Sequence, residues 1–291
     1  MFVLKNGDGI VWPDGKSIAV MLTFDFDAEL LRRSVIGAAA VGFADTSRGQ
    51  YGPDEGLPRV LELLRAKALK ATFFVPGYIG EKYPAQLAAI ASDAHELAYH
   101  GYLHEASVDM PAAEEEANMA RSEAILEKFS GVRPVGYRGP LDLLPNCALE
   151  LMAERGYLYC STLKDCDWAY PHDETHLETS IIELPTEPSL DDFSFFYFSY
   201  ADNATITCSY PCDYVYSIWR DNFDELASEK DKIMVLKLHP QLIGRSSRIR
   251  MLGRLIDYMR ENGAWLATCR EVADYVRDFY IKRKLKGGYS L

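Results

Sequence analysis

The chain has 291 residues, with 31 Lys and Arg against 43 Asp and Glu and a net charge of −12. That balance excludes non-specific attraction to nucleic acid or an anionic membrane surface, and no stretch approaches the roughly 18 consecutive apolar residues of a membrane span. At 48% hydrophobic and 25% charged, residues 1–291 read as one large globular domain with a sizeable core.

The first apolar run, Ile18–Phe24 (IAVMLTF), has the length of a buried strand and ends in Asp25-Phe26-Asp27. Leu57 to Lys67 carries leucines at helical spacing. Ala71–Val75 reads as a strand stopped by Pro76-Gly77, Pro84–Ser92 as a helix with proline near its start, and Glu96–Tyr99 as a strand broken at His100-Gly101. Ala112–Phe129 is a long helix with an acidic first turn, which suits the helix dipole. Pro134–Tyr137 is a short strand before Arg138-Gly139-Pro140. A helix over Ala148–Arg155 and strands at Tyr157–Thr162 and Ile181–Leu184 follow. Then come a helix at Cys212–Ser228, a strand at Ile233–Leu238 ending in His239-Pro240, a helix at Arg248–Arg260, a strand at Trp265–Ala267 and a helix from Cys269 to Lys284.

Strand-length apolar runs followed by helices predict an α/β fold, and about seven such units favour a barrel over an open sheet. No GxGxxG follows the first strand, which removes a dinucleotide-binding reading. Residues 165–211 break the rhythm and are expected to form a long irregular, lid-like insert. The six cysteines, Cys147, Cys160, Cys166, Cys208, Cys212 and Cys269, form no CxxC pair and are expected as reduced thiols. The first residues lack a basic segment followed by an apolar core, so a cytoplasmic location is expected.

The unusual polar residues fall at the ends of separate strands, where α/β barrels hold their catalytic groups. Asp25 and Asp27, two apart, share a face of an extended chain, so one can ligate a metal while the other acts as base; the bland alternative is two solvated turn carboxylates. His100 and His104 are spaced so that both imidazoles can point one way, as a divalent-metal site needs. A second pair at that spacing, His172 and His176, follows no strand and is assigned to solvent or a lid. His239 reads either as a satisfied core histidine or as a functional group, and Arg138 either as a surface ion pair or as the partner that keeps Asp25 ionised.

In order, these pieces resemble the polysaccharide deacetylase (NodB-homology) family. The motifs are TFDFD at Thr23–Asp27, the HxxxH of His100–His104, the RxP of Arg138–Pro140, a possible fourth at Asp165 or Asp167 around Cys166, and LKLH at Leu236–His239. SRGQYG at Ser47–Gly52, LDDF at Leu190–Phe193, LHPQLIGR at Leu238–Arg245 and ATCREVADY at Ala267–Tyr275 are similar to its cytoplasmic branch of Helicobacter-type peptidoglycan deacetylases, cyclic-imide hydrolases and metal-independent allantoinases. The resemblance implies a distorted barrel of seven or eight strands, often assembled as a homotetramer. It implies that Asp27, His100 and His104 hold a divalent metal, zinc foremost. It implies Asp25 as general base, Arg138 as the residue positioning it, and His239 as general acid to the leaving nitrogen. Phe26 separates the two aspartates, which departs from an adjacent pair.

Three functions compete. The first is metal-dependent hydrolysis of a small amide, cyclic imide or ureide, favoured by the acidic charge and the expected cytoplasmic location. The second is N-deacetylation of a polysaccharide, peptidoglycan precursor or chitooligosaccharide, with Tyr197, Phe198 and Tyr200 as candidate sugar-stacking residues. The third is an inactive barrel that binds a partner; the Asp25, Arg138 and His239 set argues against it.

Overall fold

The computed structural model describes residues 9–37, 41–201, 204–207 and 209–285. The strands, in chain order, are β1 (Ile18–Asp25), β2 (Thr72–Val75), β3 (Glu96–Tyr99), β4 (Gly136–Tyr137), β5 (Tyr159–Cys160), β6 (Tyr170–Pro171), β7 (Ile182–Glu183), β8 (Phe198–Ala201), β9 (Ala204–Thr207), β10 (Ile233–Leu238) and β11 (Ala264–Ala267). The main sheet runs β10-β1-β2-β3-β4-β5-β7-β6. β1 pairs with β10 along one edge and, on the other, with β11 beside Ile18–Met21 and β2 beside Thr23–Asp25. All these pairs are parallel except β6 on β7. β8 and β9 form a separate antiparallel hairpin.

The expected distorted barrel is therefore present, curled and incompletely closed. In place of a closing ladder, Asp191 bridges Lys237 of β10 and the Ile233 N–H donates to the Asp167 carbonyl at 3.0 Å. Every residue of β1 is buried, as a parallel strand covered on both faces requires. The helices expected at Pro84–Ser92 and Cys212–Ser228 occur with those bounds.

Two parts differ from the sequence reading. Residues 165–211 are irregular only in part: besides β7, within the strand expected at Ile181–Leu184, they contain β6, a short helix Asp192–Phe196 and the β8–β9 hairpin. Two helices, Leu30–Ile36 and Phe43–Tyr51, the latter running into a π-helical turn Gly52–Gly56, follow β1. The turn packs against the segment after β10 so closely that a Cβ on Gly56 would lie 2.1 Å from the Pro240 carbonyl oxygen, so only glycine fits. Among the described residues the five cysteines are free, as expected; Cys208 and the side chains of Phe198 and Tyr200 lie outside the description. No described helix is long and apolar enough to cross a membrane.

Outside the barrel mouth, the helix Ala112–Ser130 is tied to its neighbours through Glu123. Its carboxylate accepts from Arg133 at 3.1 Å, from Arg155 at 2.6 and 2.9 Å and from the Tyr157 hydroxyl at 3.1 Å. Burial alone would raise this carboxyl, but the bonds from Arg155 and Arg133 outweigh it and hold the group below the ordinary 4.5. A depressed folded-state pKa gives stability that is present above 4.5 and lost as pH falls through the folded value. Glu123→Gln should cost about 2–3 kcal/mol at pH 7, less than a fully buried pair because the arginines keep some solvent. Urea unfolding at pH 7 and pH 3 should show that gap shrinking in acid; an equal gap at both would contradict it.

Candidate active site

Strand register gathers the polar residues. Phe24 pairs with Leu238, Tyr99 with Tyr137, and Tyr137 with Cys160. The residues that follow, Asp25, His239, His100, Arg138 and Ser161, therefore emerge at one level on the C-terminal side of the sheet. Of these, Asp25, His100 and His239 line a cavity of about 390 Å³, together with His104, Asp191 and Lys237.

Arg138 is fully buried. Its side chain donates to Asp25 Oδ1 at 2.7 Å, Thr23 Oγ1 at 2.8 Å, the Ser161 carbonyl at 3.1 Å and Ser161 Oγ at 2.8 Å, and lies 4.0 Å over the Phe74 ring. Burial would raise the Asp25 carboxyl, but the charge of Arg138, with His100, His239 and Lys237 adding, holds it well below the usual carboxylate range. Asp25 is thus ionised, with Oδ2 facing His100 Nε2 at 3.8 Å.

The histidines at positions 100 and 104 have fixed tautomers. His100 Nδ1 lies 2.7 Å from the Arg138 carbonyl, which can only accept, so Nδ1 carries the proton. His104 Nδ1 lies 2.7 Å from Ser34 Oγ, whose own hydrogen goes to the His104 carbonyl at 2.8 Å, so again Nδ1 donates. Both Nε2 lone pairs are left facing Asp27 Oδ1, at 3.5 and 3.8 Å. His104 has φ +61°, a left-handed conformation uncommon for a non-glycine residue and often found at functional sites. Burial lowers His100 to about 4 and, with the neighbouring His100, lowers His104 well below its usual value. Both are neutral, the form that ligates metals.

Asp27 completes the cluster. Both of its carboxylate oxygens are buried without a hydrogen-bond partner. Burial, helped by the charge of Asp25 and opposed by His239, pushes it up to about 8. A buried carboxylate with no donor is costly. Two neutral imidazoles and this orphaned carboxylate could together hold a divalent ion, with zinc among the ions that accept such donors. Holding the imidazoles through their other nitrogens is what such a site requires.

His239 is set apart by its partners. Its Nδ1 lies 2.7 Å from Asp192 Oδ1, its backbone N–H donates to Asp192 Oδ2 at 3.0 Å, and its Nε2 lies 3.6 Å from Asp27 Oδ2. Burial disfavours its charge, but Asp192, Asp191 and Asp27 outweigh that and raise it to about 10. Asp191, Asp192 and His239 also cluster closely enough to hold an ion, yet there the imidazole nitrogen is already committed to Asp192.

The structure thus brings together Asp25, Asp27, His100, His104, Arg138 and His239. It places the second histidine pair elsewhere: His172 Nε2 lies 3.0 Å from Glu183, and exposed His176 bonds Asp173 at 2.8 Å. Neither Asp165 nor Asp167 reaches His239. Asp165 accepts from the Tyr170 hydroxyl, and Asp167 lies 3.9 Å from Lys232. Asp192, within the LDDF segment, is the aspartate on His239. Also unforeseen were Ser34 behind His104 and Lys237, whose ammonium meets Asp142 at 2.6 Å and Asp191 at 2.8 Å. Tyr197 is buried and stacked on Phe193 at 4.3 Å, not displayed for sugar stacking.

A buried ionised aspartate and a carboxylate-held histidine flank Asp27, His100 and His104 at the mouth of a parallel barrel, an arrangement that suits hydrolysis. The family model for polysaccharide deacetylase matches residues 48–160. A solved polysaccharide deacetylase-like protein of Mycobacterium smegmatis is 34% identical, with 93% of this chain and 94% of that one covered and a TM-score of 0.86. The peptidoglycan deacetylase of Helicobacter pylori is 28% identical over 255 residues, 79% of this chain and 86% of the relative. Puue allantoinase, 22% identical, shares the fold with a TM-score of 0.80 over 93% of this chain and 94% of its own. The chain belongs to the polysaccharide deacetylase family and is a hydrolase of carbon–nitrogen bonds other than peptide bonds.

Asp27→Asn, His100→Ala and His104→Ala should each lose most of the zinc that wild-type protein retains after equilibration and desalting, while His172→Ala and His176→Ala keep it. Retention in the first three, measured by elemental analysis, would place the metal elsewhere.

Proposed function

We propose that the protein is a metal-dependent N-deacetylase that takes one acylated residue or ring at a time. The observation that carries this is the grouping of Asp27, His100 and His104 between an Arg138-held Asp25 and an Asp192-held His239. Asp27, His100 and His104 would hold the ion, with zinc the leading candidate. A divalent ion bound there polarises a carbonyl and lowers the pKa of water. Asp25, kept ionised, accepts the proton of the attacking water through the oxygen that Arg138 leaves open. Arg138 positions that carboxylate. His239, held protonated by Asp192, delivers a proton to the leaving nitrogen, which departs poorly without one. Asp192 fixes the ring so that Nε2 faces the cavity.

The peptidoglycan deacetylase relatives support this substrate class over the cyclic imide or ureide that the sequence reading put first. The smaller-ring reading keeps one support: a cavity of about 390 Å³ lies at the small end of ligand sites. Hydrolysis assays on N-acetylglucosamine and its oligomers, succinimide, hydantoin and allantoin separate them. Acetate release from an N-acetyl sugar is expected to exceed every ring opening, and the reverse order would overturn the proposal. On the preferred substrate, Asp25→Asn should retain metal but lose about 10²–10⁴-fold in kcat, and near wild-type turnover would remove Asp25 as base.

A homotetramer, cytoplasmic in location, is part of the same proposal. Its support in the structure is the almost fully exposed Phe43 and the exposed, mutually stacked Tyr210 and Tyr214. Light scattering should give about four times the chain mass of 32.8 kDa; a monomer would contradict it.

A further inference from the structure

Beside the catalytic mouth lies a second cavity of about 380 Å³ that no step above uses. The two share Leu31 as a wall. The chain lining the second runs on directly from the site: Ala28 follows Asp27, and Gln241 lies two residues beyond His239. Arg32, Arg48, Arg245 and Arg248 line it against one carboxylate, Asp45, which is bound to Arg32 at 2.7 Å. Among the described residues the lining thus holds four arginines and one carboxylate, in a protein whose net charge is −12. Aromatic faces hold the planar groups: Arg245 lies 3.4 Å from the centre of the Tyr51 ring and Arg248 4.2 Å from that of Phe196. A guanidinium stacked on its face still presents N–H groups at its edge, in a fork that matches carboxylate and phosphate oxygens.

Gln241 supplies the independent sign of a ligand. It is 6% exposed, it lines this cavity, and neither Oε1 nor Nε2 has a hydrogen-bond partner. Buried amides are normally satisfied, so the group lacks an acceptor for Nε2 and a donor for Oε1.

We propose that this cavity binds a carboxylate or phosphate group of the substrate whose carbon–nitrogen bond is cleaved next door, so that the protein acts on anionic N-acyl compounds. Gln241 Nε2 donates to the same anion, and Oε1 accepts from a hydroxyl or N–H beside it. The assignment rests on the deacetylase reading for the identity of the cleaved bond, but the anion site itself stands on its own residues.

The test uses metal-loaded wild type, Arg48→Gln and Arg245→Gln, each checked for an unchanged circular dichroism spectrum. Inorganic phosphate is titrated by calorimetry, and kcat/KM is measured for N-acetylglucosamine 6-phosphate and N-acetylglucosamine. Phosphate should bind wild type, compete with substrate, and bind each variant about tenfold more weakly. The kcat/KM preference for the phosphorylated sugar should fall by a similar factor. Phosphate binding that is absent, or equal in all three proteins, overturns the site, and non-competitive inhibition overturns its role as a substrate subsite. Loss of phosphate binding in the variants with no N-acetyl compound turned over supports the anion site and rejects the deacetylase reading. Turnover with an unchanged preference does the opposite.

Discussion

A guanidinium with no solvent exposure must be fully neutralised and hydrogen-bonded, or the barrel mouth would not hold together. Arg138 meets that demand with Asp25 and Thr23 on β1 and with Ser161 beyond β5. Its backbone is used as well: the N–H donates to the Tyr99 carbonyl at the end of β3, and the carbonyl accepts from His100. One residue after β4 therefore joins the ends of β1, β3 and β5, fixes the charge of Asp25 and sets the tautomer of His100. Breaking it would leave an uncompensated charge and disorient two functional side chains together.

Charge balance at the mouth follows from that constraint. Five carboxylates, Asp25, Asp27, Asp142, Asp191 and Asp192, gather around two fixed cations, Arg138 and Lys237. Burial would neutralise Lys237, but Asp191 and Asp142 outweigh it and hold the ammonium firmly protonated. Lys164, 3.5 Å from Asp142, adds a third cation and a protonated His239 a fourth, so with Asp27 ionised the site is still short of positive charge. A cation beside Asp27 would supply it. The orphaned oxygens of Asp27 and the two outward-turned Nε2 atoms describe the same deficit in hydrogen-bonding terms.

The parts of this site legible in the sequence were those at the ends of strong strands. Asp25, His100 and His239 each follow a largely apolar strand-length run, and the polar residue that ends such a run is conspicuous. Asp192 was hidden for a physical reason. β4 to β7 are two residues long, too short for any periodicity, and their hydrogen bonds come from long-range pairing that local pattern does not encode. Asp191 reaches β10 through a single bridge, and its side chain accepts from the Phe193 N–H at 2.8 Å, an ordinary helix cap in sequence terms. The LDDF segment was noticed only through resemblance. The helices at Leu30–Ile36 and Phe43–Tyr51 were missed because Arg32, Arg33, Arg48 and Gly49 interrupt their apolar spacing. Of these, Arg32, Arg48 and Gly49 line the second cavity.

The central claim is that the orphaned cluster, and not the neighbouring acidic one, holds the metal. Anomalous diffraction at the zinc edge from crystals of the zinc-loaded protein tests it directly. The account predicts a single peak bounded by Asp27, His100 and His104, with His239 Nδ1 still bonded to Asp192. A peak between Asp191, Asp192 and His239, or none at Asp27, would contradict it.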